Sequence, residues 1–314
     1  FNFSIFINSL KADINHEDAE STNAEFSLSY GITFDDDGDK MYIVGTDPAP
    51  AFKNVVVQYD LTTPYDVSTK SFEKQIRDTD DGNATTTVIT DLKFSTNGGG
   101  TRIHDIRFNE DGDRMYLSVN QHGVITYRLT VPYDISSATH LNTFDPDESG
   151  NFLAIEFDST GRKLFIEDND EIDEYTVETA FDLSSTVTYV DSLTVTSGAS
   201  SLAFSSDGTT LFVLNRIERK IYEYSLTTGF DISSATLVDE YSVADEEVQP
   251  EGIAFNDDGS KVFITGTDGD KTGGSNDEVN EYTLNNAAYN LAVPTLSSSS
   301  PSDDATNVAL DANI

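Results

Sequence analysis

One block of sequence recurs five times along this 314-residue chain, and that repetition limits the folds open to it more than any single motif does. Each copy opens on a short apolar stretch ending in Phe: Gly31-Ile32-Thr33-Phe34, Asp105-Ile106-Arg107-Phe108, Ala154-Ile155-Glu156-Phe157, Ser201-Leu202-Ala203-Phe204 and Gly252-Ile253-Ala254-Phe255. A Gly-containing turn follows (Gly38, Gly112, Gly161, Gly208, Gly259), of the kind that tolerates positive φ and closes a hairpin. Then come a second apolar strand, exemplified by Leu211-Phe212-Val213, and a third centred on Tyr59, Tyr127, Tyr175, Tyr224 or Tyr282.

A second signature closes the first four copies: Tyr65-Asp66-Val67-Ser68, Tyr133-Asp134-Ile135-Ser136, Phe181-Asp182-Leu183-Ser184 and Phe230-Asp231-Ile232-Ser233. An aromatic residue followed by an Asp that can accept from nearby backbone N–H groups makes a compact turn before a fourth strand. Four antiparallel strands per repeat of about 48 residues is propeller-blade arithmetic. The anchor Phe residues lie 74, 49, 47 and 51 positions apart, so the first interval carries an insertion. The fifth copy weakens at Tyr289-Asn290-Leu291 and lacks a fourth strand, whereas the chain opens with an unpartnered strand-like stretch, Ser4 to Leu10. The expectation is therefore an all-β, five-bladed propeller over residues 1–291, with the N-terminal strand completing the last blade so that no open edge remains there.

Stretches such as Ile253-Ala254-Phe255-Asn256-Asp257-Asp258-Gly259-Ser260-Lys261-Val262-Phe263-Ile264 resemble the YVTN/WD40-like bacterial β-propeller repeats, although Trp is absent and with it the Trp-Asp signature of WD40 repeats. The resemblance implies the fold and leaves function open, since propellers host binding modules and several enzyme classes. Residues 292–314 change character: Pro294, Ser297 to Ser300 and Pro301 read as linker, and Ser300 to Ile314 is similar to the first strand of bacterial Ig-like modules. Such modules on the same polypeptide are then expected neighbours.

Charge narrows the partners. With 56 Asp and Glu against 18 Lys and Arg, the net charge is −38, which repels phosphate backbones and anionic membrane surfaces, so neither nucleic acid nor membrane insertion is expected. Cys is absent, excluding disulfides and thiolate chemistry. An acidic, Lys-poor surface suits saline surroundings, and an extracellular, cell-surface or virion location is expected.

Functional departures from a regular scaffold fall on its variable loops. Aligning the copies on the anchor Phe puts Tyr30, His104, Leu153, Ser200 and Glu251 at one level of the channel mouth, with Asp105 one residue deeper. Arg107 and Glu156 share a register further down, as an ion pair plugging the channel. Tyr30, His104, Asp105, Glu156 and Glu251 are the candidate binding residues. Oxygen-rich loops suit Ca²⁺ at Asp268, Asp270, Asp277 and Glu278, and again at Asp78, Asp80 and Asp81; Glu167, Asp168, Asp170 and Glu171 form a third acidic loop. The four His residues fall in unrelated parts of the repeat, arguing against a His-rich metal site.

The expected function is a non-enzymatic module that binds protein or glycan on its variable face, or that spaces and assembles a larger adhesin-like protein. Two alternatives stand beside it: a glycoside-processing enzyme using Asp105, Glu156 and Glu251, or a structural subunit of a filament or virion.

Overall fold

The computed structural model describes residues 14–22, 26–47, 54–77, 87–88, 102–146, 150–267 and 278–284. They form five antiparallel sheets arranged in a ring, a five-bladed β-propeller. The chain enters through β1 (Ile14–Ser21). Blade 1 contains β2 (Leu28–Phe34), β3 (Lys40–Thr46), β4 (Asn54–Leu61) and β5 (Lys70–Arg77), with a two-residue β6 (Thr87–Val88) added in parallel from the insertion. Blade 2 is β7 (Ile103–Phe108), β8 (Arg114–Val119), β9 (Gly123–Leu129) and β10 (Ala138–Phe144). Blade 3 is β11 (Phe152–Phe157), β12 (Lys163–Asp168), β13 (Glu171–Val177) and β14 (Val187–Thr194). Blade 4 is β15 (Ala199–Phe204), β16 (Thr210–Asn215), β17 (Lys220–Leu226) and β18 (Ala235–Ser242). Blade 5 is β19 (Gln249–Phe255), β20 (Lys261–Thr267) and β21 (Glu278–Leu284), and its fourth strand is β1.

The closure is of the expected kind, but the strand that makes it is β1, running from Ile14↔Leu284 to Ser21↔Glu278. The stretch chosen from sequence, Ser4 to Leu10, lies outside the described residues, as do Tyr289 to Leu291 and the segment 292–314. The difference has a physical cause. Outer strands β10, β14 and β18 are largely exposed along their length, so an apolar stretch was the wrong signal for an outer strand. Connection length points the same way. Six residues separate β1 from β2, close to the short links after β14 and β18.

Aromatic rings join the blades in an unbroken cycle. The second strand of each blade places an aromatic ring against the anchor Phe of the next. The pairs are Tyr42–Phe108 at 4.6 Å between centroids, Tyr116–Phe157 at 4.7 Å, Phe165–Phe204 at 4.5 Å, Phe212–Phe255 at 4.8 Å and, across the closure, Phe263–Phe34 at 4.6 Å. Such pairs contribute roughly 0.5–1.5 kcal/mol each beyond their buried area. All five second-strand rings are fully buried.

The hairpin glycine and the aromatic-Asp turn, separate in the sequence, are one structural unit. Gly208 has φ +71° and lies so close under Phe230 that a Cβ there would sit 2.2 Å from the ring, while Phe230 N–H donates to the Gly208 carbonyl at 3.0 Å. Asp231 then accepts from Ser233 N–H and starts a single 3-10 turn. The corresponding turns of blades 1 and 2 are built alike. The preceding blade also reaches across: Glu174 accepts from Ile232 N–H at 3.2 Å, and Glu281 from Val67 N–H at 3.1 Å.

Candidate functional site

The first-strand residues expected at the channel mouth sit where the sheet ladder slips. In the innermost strands of blades 2 to 5 the register shifts between Ile103 and Asp105, Phe152 and Ala154, Ala199 and Ser201, and Pro250 and Gly252; in blade 1 it shifts between Ser29 and Ile32. The residues skipped are His104, Leu153, Ser200 and Glu251, with Tyr30 and Gly31 in blade 1. A bulge leaves one residue out of the pairing and re-aims its side chain, and here it recurs in every blade. Inner strands also crowd at this level: a Cβ at Gly252 would fall 2.3 Å from the Tyr30 carbonyl oxygen.

Tyr30, His104 and Glu251 gather on the loop face with two arginines that sequence reasoning passed over. The Tyr30 and His104 rings lie 4.8 Å apart, and the Arg102 guanidinium is 5.8 Å from the Tyr30 ring centre and donates to its hydroxyl. Arg216 stands 3.6 Å from the Glu251 carboxylate. Both arginines come from loops held by buried asparagines. Asn120 Oδ1 accepts from Arg102 N–H at 2.6 Å. Asn215 donates to the Thr196 and Ser197 carbonyls and accepts from Ile217 and Glu218 N–H, which fixes the turn carrying Arg216. The available signal was scarcity: the chain has 18 basic residues, and two of them stand beside Tyr30 and Glu251.

Electrostatics sets the protonation states. Glu251 is 8 % exposed, and burial pushes its carboxyl up to about 7 against the pull of Arg216 and Arg102. Burial, reinforced by the same two guanidiniums, drives His104 down to about 3, so its imidazole is neutral near pH 7. Glu167, 1 % exposed, is pushed up to about 8 by burial, with Asp170 and Asp168 adding to the effect and Arg216 opposing it.

Beneath this layer Arg107 ties the inner strands together. Arg107 donates from Nε to Glu156 at 2.9 Å and from Nη1 to Asp105 at 2.7 Å and the Ile106 carbonyl at 2.8 Å. Its Nη2 reaches the Leu202 carbonyl at 3.1 Å, and a longer contact of 3.4 Å leads to Ile32. One guanidinium thus touches blades 1 to 4. Asp105 also accepts from Ile106 and Ile155 N–H at 2.9 and 3.1 Å, stapling blade 2 to blade 3. Burial pushes Asp105 up to about 6, with Arg107 and those N–H groups resisting. The ion pair read from sequence is present, and it separates the candidates. Glu156 lines a cavity on the hairpin side of Arg107, away from Tyr30 and His104. Asp105, Glu156 and Glu251 therefore do not converge on one point.

Of the Ca²⁺ loops, Asp268, Asp270, Asp277, Asp78, Asp80 and Asp81 lie outside the described residues; Glu278 starts β21. In the third acidic loop, Glu167 accepts from Asp170 N–H, Asp168 from Asn151 N–H and Asp170 from Gly198 N–H. Those carboxylates fasten loops. Among the described residues no group of three or more His, Asp or Glu side chains is placed to hold a metal ion.

The raised carboxyls give a pH dependence of stability. Glu167 and Glu251 titrate near 8 and 7 when folded, and near 4.5 when unfolded. Between those values the folded chain holds protons that the unfolded chain releases, so stability falls as pH rises. We expect the melting temperature to drop by roughly 5 °C from pH 5 to pH 8.5 in 1 M NaCl, where surface repulsion is screened. The double variant Glu167→Gln, Glu251→Gln should flatten that slope, measured by thermal unfolding across the range.

No family model matches the chain, and no curated protein sequence is similar to it. Solved structures do align with it. The periplasmic gluconolactonase PpgL of Pseudomonas aeruginosa is 13% identical over 82% of this chain and 73% of its own, with a TM-score of 0.44. A luciferin-regenerating enzyme is 12% identical over 85% and 95%, with a TM-score of 0.49. A functionally unknown protein from Desulfotomaculum acetoxidans is 12% identical over 87% and 73%, with a TM-score of 0.43. The expectation of a non-enzymatic module is corrected by these names, because aligned structures include named enzymes and the architecture gives no ground for setting catalysis aside. At such identities the likeness reaches no further than the fold.

Proposed function

We propose that the loop-face mouth of the channel is a hydrolytic site for a small anionic, oxygen-rich substrate, an acidic sugar derivative being the class that fits. The observation that carries this is the pairing of Arg216 with a Glu251 carboxyl that is almost wholly buried at a bulge beside His104 and Tyr30. A carboxyl titrating near 7 exists in both forms at neutral pH, as a general acid–base group requires. Arg102 and Arg216 supply the positive charge for a substrate anion in a chain otherwise strongly negative. When that anion engages Arg216, the guanidinium's hold on Glu251 weakens and the carboxyl is protonated further. Substrate binding thereby readies the proton for the leaving oxygen. Neutral His104 contributes a hydrogen bond and no charge.

The test compares hydrolysis of methyl glucuronide, methyl glucoside and gluconolactone, whose alkoxide leaving groups need a proton. Turnover of an anionic substrate should fall by at least about 100-fold in Glu251→Gln, whereas Arg216→Ala should chiefly raise KM. Unchanged turnover in Glu251→Gln, or a preference for the neutral glycoside that survives Arg216→Ala, contradicts the assignment.

A further inference from the structure

On the opposite face, where the hairpins and aromatic turns converge, lies a cavity of about 260 Å³. Arg107 and Glu156 are part of its lining, and Tyr30, His104 and Glu251 are not, so it is separate from the Glu251 site. Its walls include the anchor rings Phe34, Phe108 and Phe255 with Tyr65 and Tyr133. These five rings are only partly buried, in contrast to their fully buried second-strand partners, so aromatic surface faces the opening. The remaining charged lining is entirely acidic: Asp35, Asp36, Glu110 and Asp257.

We propose that this cavity binds a small organic monocation, an alkyl- or aryl-ammonium. Three observations select that class. Arg107 is the one basic residue lining the cavity, and its guanidinium is already engaged by Asp105, Glu156 and main-chain carbonyls, so it offers nothing to an anion. The carboxylates are distributed around the rim instead of meeting at a point, and no described group of three or more is placed for a metal ion, so a bare divalent cation is poorly served. Beside the carboxylates stand these aromatic rings, whose quadrupole attracts a diffuse, weakly hydrated cation. The volume exceeds the roughly 150 Å³ that accommodates benzene in an engineered cavity, leaving room for an aromatic body with a cationic head.

Benzyltrimethylammonium chloride is the probe, with benzyl alcohol and phenylacetate as neutral and anionic analogues, all in 0.15 M NaCl by isothermal titration calorimetry. The expected result is saturable binding of the ammonium alone, with a Kd near 1 mM or tighter, weakened about tenfold in Asp36→Asn, Asp257→Asn. Both those side chains are exposed, so the double variant keeps the fold. Asp239→Asn, Glu178→Gln, which removes two acids from elsewhere on the surface, should leave Kd unchanged. Absence of saturable binding, equal binding of benzyl alcohol, or equal weakening by the two double variants overturns the proposal. Glu251→Gln should have no effect here, which keeps failure at this cavity distinct from failure at the loop-face site.

Discussion

Replacing Arg107 by alanine is expected to destabilise the protein by about 3–5 kcal/mol, the range for removing one partner from a buried ionic network. Asp105, 1 % exposed, would lose the cation that holds it ionised and be driven toward its protonated form, and Glu156 and the Leu202 and Ile106 carbonyls would lose their donor. The melting temperature should fall by roughly 10 °C at pH 7, measured by calorimetry. Arg107→Lys should recover little, because a single ammonium cannot span from blade 2 to blades 3 and 4 as the planar fork does. The triple variant Asp105→Asn, Arg107→Met, Glu156→Gln should recover much of the loss, since no charge is then left unpaired. A wild-type melting point in Arg107→Ala would show that water replaces the guanidinium without cost.

The second large effect concerns the closure. Strand β1 pairs with β21 over its whole length and is the only strand of blade 5 that arrives from the far end of the sequence. Of two adjacent residues in a strand, one directs its N–H into the ladder, so replacing both Ala19 and Glu20 by proline removes a pairing hydrogen bond whichever one it is. The expected loss is about 3 kcal/mol, with a melting temperature lower by roughly 6–10 °C. Detachment would also bare the edge of β21, a template for pairing with another chain. Light scattering should then show concentration-dependent self-association of the variant and none of the parent chain. A monomer of unchanged stability would mean that the ring closes without β1.

The architecture was legible because repetition multiplies a weak signal. One Phe-turn-strand pattern would be ambiguous, but five at similar spacing leave few alternatives to a ring of sheets, and the Gly38 and Gly208 turns behave as their sequence implies. The closing strand was misplaced because an outer strand advertises itself by polarity and connection length, and β1 reads Ile-Asn-His-Glu-Asp-Ala-Glu-Ser with a single large apolar residue. At the channel mouth, alignment on the anchor Phe found Tyr30, His104 and Glu251 because they occupy a repeated position. Arg102 and Arg216 lie in loops outside that register, where no periodicity marks them. Arg107 was visible as the partner of Glu156. Its reach to Leu202, 95 positions away, depends on curvature that a one-dimensional pattern does not carry.

The recurrent ladder slip at the start of each innermost strand has a bearing on how this scaffold can change. Because the extra residue there is excluded from main-chain pairing, exchanging it leaves the alignment of neighbouring strands untouched. His, Leu, Ser and Glu already occupy equivalent places in four blades. The bulged positions therefore behave as a palette on a frame whose strand register does not depend on them, and saturation mutagenesis confined to them should change side-chain contacts at the mouth while the strands keep their alignment.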